Sequence, residues 1–195
     1  TLGGMAVHIL DLVHWALDLG HPTTIEADSN PKGGYPESYP EWLTARWEYP
    51  SHGQFGPITV YWHDGGKKPE SPPGVNLKEW GIGVLFVGDK GTIVADYGRR
   101  VLLPADKFKD FQAPPPSIPP SPGHHQEWLA ACKTGSPTLC NFDYGGRLVE
   151  NLLLSIVACR VKKRLEWAPV HLTATNCPEA DPVIRKRYRE GWSVG

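Results

Sequence analysis

The chain has 195 residues, a formal net charge of −1, 40% apolar residues and 21% charged ones. That balance describes a globular domain with its own core and excludes a disordered chain. It gives no basic patch for nucleic acid or an anionic membrane, and no apolar run nears the roughly 20 residues that span a bilayer. Neither partner is expected.

In chain order, residues 4–19 carry apolar side chains at Met5, Ile9, Leu12, Val13, Trp15, Ala16 and Leu19. This is helical spacing, with Gly20 as the expected stop and Pro22 beyond it. Extended segments are expected at 23–27, at 41–49, and at 58–63, which is rich in β-branched and aromatic residues. Asp64-Gly65-Gly66 ends the last with turn chemistry. Residues 81–87 and 92–96 read as a hairpin around Gly88-Asp89-Lys90-Gly91, with a short edge strand at Val101-Leu102-Leu103. The stretch 114–123 (PPPSIPPSPG) reads as an extended connector. Helices are expected at 123–132, 143–163 and 179–188. The longest carries a stripe of Leu148, Leu152, Ile156, Cys159 and Val161, and Arg160, Lys162, Lys163 and Arg164 sit where its dipole favours cations. A helix, then strands, then helices predicts an α+β domain over 1–195, with a large, open, mostly antiparallel sheet and helices on one face.

The chemistry starts with absences. A nicotinamide-binding unit needs G-x-G-x-x-G between a strand and a helix. The nearest string, Gly81-Ile82-Gly83-Val84-Leu85-Phe86, lacks the third glycine and continues as a strand. There is no P-loop, nucleophile elbow or H-E-x-x-H. Four cysteines (Cys132, Cys140, Cys159, Cys177) have no metal-site spacing. They read as small, mostly buried residues, with a Cys132–Cys140 bridge left open. The 8 tryptophans admit two readings, a sugar-binding surface or the filling between sheet and helices.

Histidine is the strongest chemical candidate. His8 precedes Asp11 by one helical turn, so the carboxylate can orient the imidazole. A structural hydrogen bond at the helix start is the competing reading. His63-Asp64 closes a strand, where side chains face either a site or solvent. The adjacent pair His124-His125 does not share a helical face and is not read as a metal pair.

Several strings resemble the C-terminal domain of the glucose–fructose oxidoreductase/inositol dehydrogenase (Gfo/Idh/MocA) family. They are Gly3 to Asp11, Trp15-Ala16-Leu17, Gly20-His21-Pro22-Thr23, Trp62 to Pro69, Val87 to Gly91, Glu127 to Cys132, Asn141 to Gly146, Glu150 to Ala158, Leu165-Glu166-Trp167 and Tyr188 to Trp192. Their order spans nearly the whole chain. The resemblance implies an N-terminal Rossmann domain holding NAD or NADP, with no cofactor bound tightly by this chain. It implies hydride transfer at a sugar or polyol carbon, and a homo-oligomer built through the sheet. The family's Asp-x-x-x-His motif makes His8 the acid/base, and Asp11, Trp62, His63 and Asp64 the substrate-side candidates. The motif's aspartate falls at Gly4. The start at Thr1 implies removed upstream residues, and a cytoplasmic setting is preferred to export. The alternative reading is a non-catalytic carbohydrate-binding or assembly module that keeps the fold.

Overall fold

A computed structural model describes residues 2–31 and 38–193. Thr1 and part of the proline- and glycine-rich stretch after Pro31 lie outside the described residues. The chain divides into two compact units, one formed by residues 1–82 and 148–195, the other by 83–147.

In the first unit a π-helical turn, Leu2–Ala6, leads into α1 (Val7–Leu17). Leu2, Ala6, Ile9, Leu10, Val13 and His14 are buried, one stripe at helical spacing. Met5, Leu12 and Trp15, expected in the core, face outward. The helix stops earlier than Gly20. Asp18 adopts the left-handed conformation (φ 46°), which short polar side chains tolerate, and Leu19 N–H closes back on His14 O at 3.0 Å.

A five-stranded antiparallel sheet follows, in the order β3-β2-β1-β7-β8. Its strands are β1 (Thr24–Pro31), β2 (Pro40–Tyr49), β3 (Ile58–His63), β7 (Leu165–Ala168) and β8 (Thr173–Ala174). Period-2 alternation separates its two faces. Leu43, Ala45, Trp47 and Tyr49 of β2 are buried, while Thr44, Arg46 and Glu48 point the other way. The register aligns Val60, Trp47, Ile25 and Leu165 in one buried row across four strands. Large faces small in the next row, with Trp62 opposite Ala45 and Ala45 opposite Ala27. Such pairing lets a large side chain cover the space beside small ones. At the end of β3 the Asp64-Gly65-Gly66 turn requires glycine, because a Cβ on Gly65 (φ 65°) would lie 1.9 Å from Glu41 O.

α1 and α3 (Phe142–Val161) pack on the same sheet face. The Trp47 indole donates to Asn151 O of α3 at 2.8 Å, and Tyr49 Oη meets His14 Nε2 of α1 at 3.4 Å. Residues 47 and 49 share that face, so the two contacts place both helices above it. Burial pushes the Tyr49 hydroxyl pKa far up and Asn151 draws it partly back. Asn151 Nδ2 donates to Gly20 O at 2.8 Å, tying α3 to the end of α1. The buried face of α3 uses Leu148, Asn151, Leu152, Leu154, Ser155, Val157 and Ala158. It is rotated from the expected stripe and includes Asn151, whose Nδ2 reaches Gly20 O, and Ser155, whose hydroxyl donates to Leu152 O within the helix. Asn141 caps the helix by accepting Tyr144 N–H at 3.0 Å.

The strands beyond residue 83 form their own three-stranded meander, β4 (Val84–Gly88), β5 (Gly91–Ala95) and β6 (Arg100–Leu103). The antiparallel α+β class holds, but the single large sheet is split. Pro69, Pro72 and Pro73 in the intervening connection lack the N–H that a continuing ladder would need. The same second unit contains α2 (His124–Thr134), which ends at Gly135 with φ 73°. β7 and β8 were invisible as patterns, being 4 and 2 residues long. The expected C-terminal helix shrinks to a 3-10 turn and α4 (Asp181–Ile184). Extending it would stack Arg185, Lys186 and Arg189 at like-charge spacings, with little apolar surface to bury. All four cysteines are free thiols, and Cys132 and Cys140 are exposed.

One exposed contact makes the end of α1 pH-sensitive. His52 Nε2 lies 2.7 Å from Leu17 O and Nδ1 lies 3.2 Å from Pro50 O. Both acceptors are carbonyls, so only the imidazolium donates to both. These bonds raise the His52 pKa, the Leu17 carbonyl most. A raised folded-state pKa means the stabilisation is full below the unfolded value of 6.5 and disappears as pH rises through the folded-state pKa. The expected result is a melting temperature that falls as pH rises above about 6.5, with that component absent in His52→Ala. Equal slopes in the two proteins would contradict it.

Candidate functional site

The π-turn and α1 place Met5, His8, Leu12 and Trp15 at spacings of 3, 4 and 3 residues, which is one helical stripe. All four are exposed, Trp15 by 50%. α1 therefore buries one face against the sheet and shows a second apolar face with an imidazole in its middle. A solvent-facing helix ordinarily carries polar residues there. π-turns also concentrate at functional sites. Asp11, half-buried, lies one turn after His8. Gly3 and Gly4 leave open space beside the stripe, and a Cβ at either meets nothing within 4 Å.

The strand-end candidates divide. Trp62 is buried on the helix-packed face, and its indole N–H has no hydrogen-bond partner. His63 lies on the opposite face, its ring stacked on Tyr61 with centroids 6.5 Å apart. Period-2 alternation thus prevents Trp62 and His63 from lining one site. Burial holds the His63 pKa down, which favours the neutral ring. Asp64 turns its carboxylate back onto the Gly65 N–H at 2.5 Å, and its own N–H donates to Leu43 O at 3.0 Å. Its side chain shapes the turn. His8 and Asp11 share a helix, while the three strand-end residues fall into two environments.

Beside α1, His21 Nδ1 lies 3.1 Å from Glu150 Oε1, which also accepts the Trp167 indole N–H at 2.9 Å. Nothing in the spacing of residues 21, 150 and 167 signals this contact, since it joins three elements far apart in sequence.

The outward sheet face carries a charged lattice. Arg46 Nη1 donates to Glu26 Oε1 at 2.9 Å, and Arg46 Nη2 contacts Glu48 Oε1. Glu48 Oε2 accepts from Thr24 Oγ1 at 2.6 Å and Arg164 Nη2 at 2.9 Å. The bond to Glu26 raises the Arg46 pKa, and the Thr24 hydroxyl, followed by Arg164, lowers that of Glu48. Lys163 reaches Glu179 instead. Two of the four basic residues expected to serve the end of α3 are thus committed to carboxylates elsewhere. Arg46 also lies 5.9 Å over the Tyr61 ring, which is 57% exposed.

The Gly81-Ile82-Gly83 string does not form a dinucleotide-binding turn. Gly81 and Gly83 run into β4 and no helix follows, so no helix N-terminus meets a pyrophosphate. Among the described residues no group of three or more His, Cys, Asp or Glu side chains is placed to hold a metal ion, and no helix is long and apolar enough to cross a membrane. No family model matches the chain, and no curated protein matches it.

Proposed function

We propose that this chain is the substrate and assembly half of an NAD(P)-dependent oxidoreductase acting on a sugar or polyol, with His8 as the general acid/base. The observation that carries the reading is the exposed apolar stripe of α1 with His8 at its centre. An apolar surface around an imidazole suits a site closed by another domain, where water is excluded and a hydroxyl proton has one acceptor. The cofactor belongs to that other domain. The step assigned to this chain is proton movement between His8 and the substrate hydroxyl, with Asp11 one turn away to orient the ring. A longer chain that includes a nucleotide-binding domain is expected to enhance NADH or NADPH fluorescence saturably. Absence of binding to either would remove the reading.

The assembly half of the proposal uses the outward sheet face. Its charges of both signs and exposed Tyr61 are groups that a two-fold interface can use. Tyr61→Glu replaces the exposed ring over Arg46 by a carboxylate and is expected to weaken self-association at least about tenfold in sedimentation equilibrium, the loss expected for a central aromatic anchor. Unchanged association would take the interface off this face.

The alternative, a non-catalytic sugar-binding or assembly module, is favoured by Gly4 at the family's aspartate position. Saturable sugar binding by the 195-residue chain alone in calorimetry, with no cofactor binding by the longer one, would make it the better account. Gly4→Asp is sterically free, and a carboxylate near a helix start contributes about 0.3–1 kcal/mol. Its melting temperature is expected to equal or exceed that of the parent, and a lowered one would contradict the open placement.

A further inference from the structure

The second unit contains a groove of about 410 Å³ lined by Arg100, Leu102, Ala105, Phe108, Phe111 and Ala113. Its aromatic wall is built into the fold. Phe108 packs on Gly91 so closely that a Cβ there would come within 2.7 Å of its ring. Lys107 Nζ, on the same turn, donates to Lys90 O at 2.6 Å, which ties the wall to the β4–β5 hairpin. The Phe108 and Phe111 rings meet edge to face, with centroids 6.3 Å apart at 84°. Phe111 is 56% exposed.

The segment that leaves this groove is its chemical complement. Residues 114–122 (PPPSIPPSP) are all exposed, and Ile118 presents an apolar side chain to solvent. Proline presets the polyproline II geometry, so little entropy is lost on docking, and its repeat of three puts Pro116, Pro119 and Pro122 on one edge. Proline carbonyls are acceptors with no neighbouring proline N–H, and Arg100 supplies a donor with no acceptor function. Aromatic-lined grooves recognise such segments through these same two features. The segment's own groove is an unsuitable seat. Ala113 forms the rim, and Pro114 to Pro116 stiffen the chain as it departs at about 3.1 Å per residue. No residue of 114–122 lines the groove.

We propose that the 114–122 strap of one copy docks in the Phe108/Phe111 groove of a second copy, giving a reciprocal exchange between two chains. This contact does not depend on the oxidoreductase reading and differs from the sheet interface. The test uses the 195-residue chain and a fluorescein-labelled peptide of residues 113–123. Anisotropy is expected to show saturable peptide binding, weakened at least about tenfold by Phe111→Ala, the loss expected for removing a central aromatic anchor. Phe111→Leu, which keeps apolar volume, guards against a folding defect and is expected to bind with intermediate strength. In sedimentation equilibrium, Phe111→Ala and the double variant Pro116→Gly/Pro119→Gly are each expected to lose strap-dependent self-association. Their mixture regains a part, because one intact groove meets one intact strap. Peptide that fails to bind at millimolar concentration, binds Phe111→Ala equally well, or leaves the mixture no more associated than its components would overturn the proposal.

Discussion

Under the proposed oxidoreductase reading, His8→Ala is expected to lower kcat of a longer chain that carries a nucleotide-binding domain by about 10²–10⁴, the range for removing a positioned general acid/base, while cofactor affinity stays within about twofold. His8 is exposed on α1 and lies outside the buried stripe that anchors the helix. Truncating it removes no core contact, so the fold is expected to melt as before. The effect therefore belongs to kcat, because proton transfer occurs only as the transition state forms, whereas loss of a binding contact alone would raise KM. A neighbouring control separates chemistry from surface change. Leu12→Ala alters the same stripe without a titratable group and is expected to affect domain closure more than proton transfer. Comparable losses of kcat in His8→Ala and Leu12→Ala would remove the imidazole from the mechanism. An unchanged rate in His8→Ala would do the same.

Trp47→Ala is expected to be the most destabilising single substitution in the five-stranded unit, at about 3–5 kcal/mol for a large aromatic removed from a core. Trp47 is 1% exposed and central in the row formed with Val60, Ile25 and Leu165. It also supplies the donor to Asn151 O. Trp47→Phe retains much of the ring and gives up only the indole bond, a loss of about 0.5–1.5 kcal/mol, since Asn151 O keeps its acceptor role within α3. Urea melts followed by far-UV circular dichroism separate the two contributions. If Phe and Ala cost the same, the hydrogen bond rather than the volume dominates. If neither lowers the midpoint, the row is not the core of this unit.

These two residues mark how much was legible in the amino-acid order. His8 is readable because it stands one turn before Asp11 on a strongly periodic segment, and helical spacing is local. The outward orientation of Met5, Leu12 and Trp15 is not readable. α1 is apolar on both sides, and only docking against Tyr49 chooses which side is core. His63 and Asp64 look like one motif beside Trp62, yet the pleat sends Trp62 and His63 to opposite faces. The Glu150 contact with His21 and Trp167 has no sequence signal, because three distant elements contribute to it.

Local sequence specified the antiparallel α+β class, the positions of α1, β1 to β6 and α2, and the long helix α3. Each depends on periodicity or turn chemistry acting within a few residues. Tertiary structure alone decided the remainder. It split the expected single sheet in two, because the strands after the proline-rich connection paired among themselves. It made strands of Leu165–Ala168 and Thr173–Ala174, segments too short to show a period, by offering β1 as a partner to the first and the first as a partner to the second. It rotated α3 to bury Asn151, whose Nδ2 finds Gly20 O across the fold, and Ser155, whose hydroxyl turns back onto the helix itself. Strand pairing and helix rotation depend on residues far apart in the chain, so local spacing does not encode them.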